Sequence, residues 1–124
     1  MRSVARIPVN CLAVASLCLA APVAGQELTT GKQLFDQCAV CHSIDGTNGV
    51  GPTLKGVIGR KAGTVPGFRY SRAMKSSEVT WDDKSLEAYL SDPQAFISGN
   101  TMPFSGVADA SQRMAIIAYL KTIQ

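Results

Sequence analysis

Residues 38–42 of the chain read Cys38-Ala39-Val40-Cys41-His42, a C-x-x-C-H motif. Two thiols at this spacing, followed at once by an imidazole, are the attachment signature of a c-type haem. Each thiol adds to one vinyl group of the porphyrin, and the histidine can then reach the iron from one face. The motif therefore predicts one covalently bound haem, held through Cys38 and Cys41.

The same pair of cysteines is also compatible with a disulfide, a zinc half-site or a redox dithiol. Zinc needs two further ligands, but His42 is the only histidine, and the other two cysteines, Cys11 and Cys18, lie near the N-terminus. A thioredoxin-like dithiol belongs in a βαβ pattern, which this sequence lacks. The adjacent histidine favours haem over all three alternatives.

The first residues have the pattern of a secretory signal peptide. Two arginines precede an apolar stretch at residues 11–21, and small residues follow at 23–25. The apolar stretch is too short to span a bilayer, so no stable membrane insertion is expected. We predict a signal peptide over residues 1–25 that is removed on export, and one domain over residues 26–124 that acts in the periplasm.

Export changes the charge balance of the chain. The full sequence has 12 basic and 9 acidic residues. Because two of the arginines lie in the leader, ten basic residues face nine acidic ones in the mature domain, a net charge of +1. The sequence therefore gives no support to nucleic-acid binding. Its length predicts one small domain, expected to be a monomer.

Helical patterns occur in three places. Thr30 and Gln33 form a capping-box pattern, which predicts that a first helix begins there. Asp82 or Asp83 is expected to cap a second long helix that ends before Pro93. The last helix is expected to begin at Asp109 or Ser111. Apolar residues recur at helical spacing in the first and last of these, at Gly31, Leu34, Phe35 and Cys38 and at Ile116, Ile117, Leu120 and Ile123.

Glycine and proline interrupt residues 43–67 so often that no long helix fits there. We interpret this stretch as an ordered loop wrapped around something, with one short helix following at residues 70–76. The predicted fold is all-α, with about three main helices, one or two short ones and long loops around the haem.

Because the chain has one histidine, the sixth ligand of a bound haem is another residue type, water or nothing. Methionine raises the potential of haem iron and favours electron transfer. The candidates after the leader are Met74, Met102 and Met114. Met102 lies in a loop between two predicted helices, followed by the rigid Pro103, and is favoured. Met114 is expected at the surface or in peripheral packing, and Met74 in packing.

The chain resembles the class I c-type cytochromes, especially the bacterial relatives of mitochondrial cytochrome c. The resemblance runs from about residue 31 to 120 and rests on an ordered set of motifs. These are the C-x-x-C-H motif, Gly51-Pro52-Thr53-Leu54, Gly59-Arg60-Lys61-Ala62-Gly63, Pro66-Gly67-Phe68-x-Tyr70-Ser71, Thr80-Trp81, Tyr89-Leu90-x-x-Pro93, Met102-Pro103-Phe104 and Ile117-Ala118-Tyr119-Leu120.

The resemblance implies a role for several residues around the iron. His42 and Met102 are the expected axial ligands, and the Pro52 carbonyl is expected to accept from the imidazole N–H. Tyr89 is expected near the methionine sulfur and Phe104 beside the haem edge.

It also implies which residues face the haem propionates. Tyr70 and Trp81 are expected to donate hydrogen bonds to them, and Arg60 to balance their charge. Gly31 and Tyr119 match a close crossing of the first and last helices.

The function that these features imply is a soluble periplasmic one-electron carrier, and not an enzyme. Its expected partners are redox proteins: a cytochrome bc complex, a terminal oxidase, a photosynthetic reaction centre or a periplasmic dehydrogenase. Two alternatives remain open, a dedicated electron-accepting subunit of one dehydrogenase and a haem peroxidase or gas-binding protein.

The chain departs from the mitochondrial branch in its charges. No lysine or arginine occurs in residues 43–54 or 93–108, the loops expected to flank the haem edge. The basic residues lie instead between them, at Lys55, Arg60, Lys61, Arg69, Arg72 and Lys75. Docking is therefore expected to be less electrostatic and to depend less on salt than in a strongly basic relative.

Overall fold

The computed structural model describes residues 24–124, so nearly all of the predicted signal peptide lies outside the described residues. The helices are α1 (Ala24–Ala39), α2 (Arg72–Ser76), α3 (Asp83–Ser91), α4 (Pro93–Phe96) and α5 (Ala110–Lys121). Three are longer and two are short, as predicted. In this part of the chain β pairing is limited to a single bridge between Lys61 and Thr80. None of the described helices is long and apolar enough to cross a membrane.

Helices α1 and α5 cross at Gly31. A Cβ atom at this position would overlap the backbone carbonyl of Ala115 and lie 3.0 Å from the Cβ of Tyr119. One turn further along α1, the ring centroid of Phe35 lies 5.3 Å from that of Tyr119. The missing side chain thus lets two backbones approach, which confirms the crossing that was predicted from Gly31 and Tyr119.

The predicted start of α1 at Thr30 is wrong. The helix already includes Ala24, and Thr30 lies inside it. Residues 26–28, Gln-Glu-Leu, are good helix formers, and no proline separates them from Thr30, so local propensity carries the helix through the supposed cap.

Aspartates set the limits of the middle helices. The Asp82 side chain accepts from the backbone N–H of Ser85 at 2.7 Å, and the Ser85 side chain returns the bond, so α3 begins with a capping box. Asp92 ends α3 and also caps α4, accepting from the Ala95 N–H at 3.0 Å. Pro93 takes the first position of α4, where its missing N–H costs nothing.

Asp109 caps α5 by accepting from the Gln112 N–H at 2.9 Å. The predicted apolar stripe of Ile116, Ile117 and Leu120 is buried. Ile123 lies beyond the end of the helix at Lys121 but still packs against the core. Met114, on the other face, is 54% exposed, as predicted for a surface residue.

The long loop between α1 and α2 is held by its own backbone hydrogen bonds. The Gly51 N–H donates to the Cys41 carbonyl at 2.8 Å, and the Leu54 N–H donates to the Ser43 carbonyl at 2.9 Å. The segment after α2 also holds the loop, since the Trp81 N–H donates to the Arg60 carbonyl at 2.9 Å. The loop is ordered, as predicted, and it encloses a cavity against α3 and α5.

Candidate haem-binding site

His42 is held by the loop that follows it. Its Nδ1 lies 2.7 Å from the carbonyl oxygen of Pro52. A carbonyl can only accept, so Nδ1 carries the proton and Nε2 keeps its lone pair. Burial lowers the pKa of His42 and favours the neutral ring. A Cβ atom at Gly51 would come within 2.5 Å of the imidazole, so only glycine fits beside it.

Cys38 and Cys41 sit where α1 ends. The N–H groups of Cys41 and His42 both donate to the Cys38 carbonyl, at 3.1 and 2.9 Å, which closes a tight turn. Both thiols are free and partly buried. Burial raises the pKa of the Cys38 thiol to about 11. The turn places the two thiols and the imidazole on the wall of one cavity.

The cavity has a volume of about 560 Å³ and runs from the C-x-x-C-H segment to the Met102 loop. Much of its lining is apolar, from Phe35, Leu54, Val57, Leu86, Leu90, Ile116 and Leu120. All ten residues that the sequence predicted at the haem also line it: Cys38, Cys41, His42, Pro52, Arg60, Tyr70, Trp81, Tyr89, Met102 and Phe104.

Met102 meets a hydrogen-bond donor inside the cavity. The Tyr89 hydroxyl donates to its sulfur at 3.7 Å. Burial raises the pKa of Tyr89 to about 12, so the hydroxyl keeps its proton. The ring of Tyr89 is itself fixed by Trp81, with centroids 5.0 Å apart. The sulfur is therefore held by a buried aromatic pair.

The other two methionines are placed differently. Met74 lies on α2, is partly buried and also lines the cavity, without a hydrogen bond to its sulfur among the described residues. Met114 is exposed on α5 and does not border the cavity. Met102 and Met74 thus both line the cavity. Among the described residues, the sulfur of Met102 accepts a hydrogen bond and that of Met74 does not.

Arg60 and Tyr70 bring polar groups to the cavity wall. The Arg60 guanidinium donates to the backbone carbonyls of Lys55 and Thr53, each at 2.9 Å. The Tyr70 hydroxyl accepts from the Val65 N–H at 3.2 Å, so its own proton is free for another acceptor. Burial raises the pKa of Tyr70 and lowers that of Arg60.

Residues 28–124 match the family model described as Cytochrome c. The chain belongs to the cytochrome c family. Cytochrome c2 of Blastochloris viridis is 47% identical over 103 residues, which cover 82% of this chain and 81% of the relative. Cytochrome c2 iso-2 of Magnetospirillum fulvum is 49% identical over 90 residues, covering 72% and 94%. The solved structure of cytochrome cH from Methylobacterium extorquens is 45% identical, with a TM-score of 0.74, covering 77% of this chain and 97% of that one.

Membership of the cytochrome c family defines the cofactor and the class of function. The cofactor is haem c, attached through cysteines with the spacing of Cys38 and Cys41. The chain is an electron carrier and not an enzyme. These findings confirm the predicted fold, cofactor and class.

The residues of this cytochrome c chain fit a haem. A large apolar cavity is bordered by two free thiols, an imidazole with an available nitrogen and a thioether sulfur. Thiols provide the covalent bonds, and nitrogen and sulfur are the usual His/Met ligand types for haem iron. The cavity also offers the Arg60 guanidinium and the Tyr70 hydroxyl for acidic groups of the cofactor.

Sequence reasoning missed two buried polar residues near the site, Asn100 and Arg113, which are 6% and 8% exposed. Asn100 precedes Met102 by two positions, the spacing at which an asparagine side chain often accepts from a backbone N–H. That signal was available in the sequence. Arg113 donates to backbone carbonyls and to Glu87, and no local sequence pattern predicts these partners.

Proposed function

We propose that the chain is a periplasmic one-electron carrier in which His42 and Met102 are the two axial ligands of haem c. One observation supports this most strongly. The two side chains come from separate segments, line the same cavity, and are each already positioned by a hydrogen bond, from His42 to Pro52 and from Tyr89 to Met102.

The haem, when bound, supplies a couple that gains or loses one electron. The protein then has to keep the same two ligands in both oxidation states. Pro52 keeps the His42 ring in one orientation and makes the imidazole a better donor. Tyr89 holds the sulfur of Met102, and the apolar lining excludes water. Because His42 and Met102 would both bind the iron, neither a substrate nor oxygen would have an open site.

Tyr70, Trp81 and Arg60 are proposed to face the propionates. Support for this comes from their common place on the cavity wall. The guanidinium already binds two backbone carbonyls, so its positive charge is fixed in place. Phe104 is proposed to shield the haem edge from the Met102 loop.

The test uses the protein exported by a haem-maturing bacterial host. Its mass is expected to equal one haem plus a chain that begins at Gln26. A redox titration followed by its absorption spectrum is expected to show one reversible one-electron couple, with the weak long-wavelength ferric band that reports sulfur–iron ligation in this family. A ferric protein that lacks this band and binds external ligands readily at neutral pH would contradict the proposal.

The proposed partners are redox proteins of the respiratory or photosynthetic chain or a periplasmic dehydrogenase, met by a monomer in brief encounters of small area. Six exposed residues border the cavity in the described part of the chain: Gln37, Val40, Val50, Lys61, Thr101 and Pro103. We call these six the rim. Val40 and Val50 are 79% and 77% exposed. Lys61 pairs with Glu78 at 3.0 Å, so the rim carries little net charge.

A rim with little charge predicts weak salt dependence of electron exchange. Self-exchange between ferrous and ferric copies brings two rims together and requires no knowledge of the partner. Its rate, measured from NMR line widths, is expected to change less than about threefold between roughly 0.01 M and 0.5 M ionic strength, because few charges are screened. The Val50→Lys variant is expected to be slower at low salt and to recover as salt is added. A steep rise for the unaltered protein would contradict the prediction.

A further inference from the structure

Within the connection from α4 to α5, residues 99–109 carry Met102, and we call this segment the strap. Among the described residues, three polar side chains are classed as buried: Thr53, Asn100 and Arg113. Two of the three fasten the strap. Each end of the strap is therefore tied to the helices by a buried group that the proposed ligation does not itself use.

Asn100 ties the ligand segment to α4. Its Oδ1 accepts from the Met102 N–H at 3.0 Å. Its Nδ2 donates to the carbonyls of Pro93 and Ile97, both at 2.8 Å. Both amide protons and one oxygen lone pair are thus used. The backbone carbonyl of Asn100 also accepts from the Gln94 side chain at 2.8 Å, so both the side chain and the backbone of Asn100 are bound to neighbouring groups.

Arg113 fixes the far end of the strap. Its Nη1 donates to the carbonyls of Val107 and Ala108, at 2.6 and 2.8 Å. Its Nε and Nη2 donate to Glu87 on α3, at 2.7 and 2.6 Å. At Gly106 a Cβ atom would overlap the backbone carbonyl of Ser91. This end of the strap lies four or more residues from Met102. Asn100 is therefore the buried polar side chain that holds the strap next to Met102.

We propose that Asn100 is a positioning residue for Met102. Its amide joins the backbone of Met102 to α4 and sets how often the sulfur leaves the cavity. The inference rests on the proposed ligation by Met102. It goes further, because it assigns the persistence of that ligand to a side chain that does not itself line the cavity and contacts Met102 through its backbone N–H.

The physical reason is the cost of separating buried hydrogen-bond partners. For the sulfur to leave, the strap has to move away from α4, which breaks the bond to the Met102 N–H or pulls the amide off two buried carbonyls. Each broken bond opposes opening, since an unpaired buried polar group is costly. Without the amide, the strap is held near Met102 by weaker contacts, and the open state becomes more populated.

The test measures how tightly imidazole binds to the ferric, haem-loaded protein, because imidazole binds the iron only when the sulfur has left it. Asn100→Ala is expected to raise the apparent association constant for imidazole roughly tenfold to hundredfold, since three side-chain hydrogen bonds are lost. Asn100→Ser keeps one acceptor for the Met102 N–H and is expected to fall between this variant and the unaltered protein. The matched control is Asp82→Ala, which removes a helix cap away from the strap and is expected to lower thermal stability without changing imidazole binding.

Three results would overturn the inference: Asn100→Ala binding imidazole like the unaltered protein, Asp82→Ala matching Asn100→Ala, or Asn100→Ser giving no rescue. If Asn100→Ala does not mature, hydrogen exchange of the unaltered protein decides. The Met102 amide is expected to be protected, and an unprotected amide would overturn the inference. If Met102 does not bind the iron at all, a different result is expected: the unaltered protein itself lacks the sulfur–iron band.

Discussion

Replacing Met102 with alanine is expected to leave the haem attached and to lower its reduction potential by on the order of 0.1–0.3 V, within the range of about 0.8 V over which axial ligands set haem potentials. Attachment persists because Cys38, Cys41 and His42 lie on a separate segment. The potential falls because a methionine sulfur raises it, and alanine offers no replacement. A redox titration of the exported variant, with its ferric spectrum, gives both quantities.

Two methionines provide matched controls for this substitution. Met114→Ala removes the same side chain from an exposed position on α5 and is expected to change neither potential nor spectrum. Met74→Ala removes a side chain from the cavity wall and is expected to keep the sulfur–iron band. If Met74→Ala loses the band while Met102→Ala keeps it, the axial ligand is Met74 and the proposed assignment is wrong.

Replacing Gly31 with valine is expected to lower the free energy of unfolding by roughly 3 kcal/mol or more, at the upper end of what overpacking costs. The first atom of any side chain there would overlap the Ala115 carbonyl. A backbone atom cannot rotate away, so α1 and α5 have to separate. For a domain of this size the midpoint of thermal unfolding is expected to fall by more than ~12 °C.

The control for this effect is Gln33→Val, which places the same β-branched residue at an exposed position of the same helix. It carries the helix-propensity cost of valine, less than about 0.7 kcal/mol, without the steric overlap. Equal losses for the two variants, measured by chemical denaturation of the haem-loaded protein, would show that the helix crossing does not depend on glycine.

Much of the fold could be predicted because its signals are local. A capping aspartate, a proline after a helix and an apolar stripe each occupy a few consecutive residues, and Asp82, Pro93 and Ile116 take the expected places. The start of α1 could not be predicted from Thr30, since a capping pattern also occurs inside a helix when the preceding residues favour helix.

Some residues of the site could likewise be predicted from local motifs, and others could not. The C-x-x-C-H motif carries its chemistry in five consecutive residues, and the ordered motifs around it put all ten predicted residues on one cavity wall. Arg113 could not be predicted, because its role depends on carbonyls brought to it by the folding of the strap. Long-range partners of this kind have no sequence pattern of their own.

The crossing at Gly31 also constrains the order in which the chain can fold. Among the described helices, α1 packs against α5 alone. A ribosome or a translocation channel delivers α1 first and α5 about seventy residues later. During that interval the apolar face of α1 has no helix to cover it, and the first and last helices close the domain together. A chain with this order of helices cannot form the α1–α5 crossing until its last helix has emerged, which is compatible with the proposed export before haem attachment.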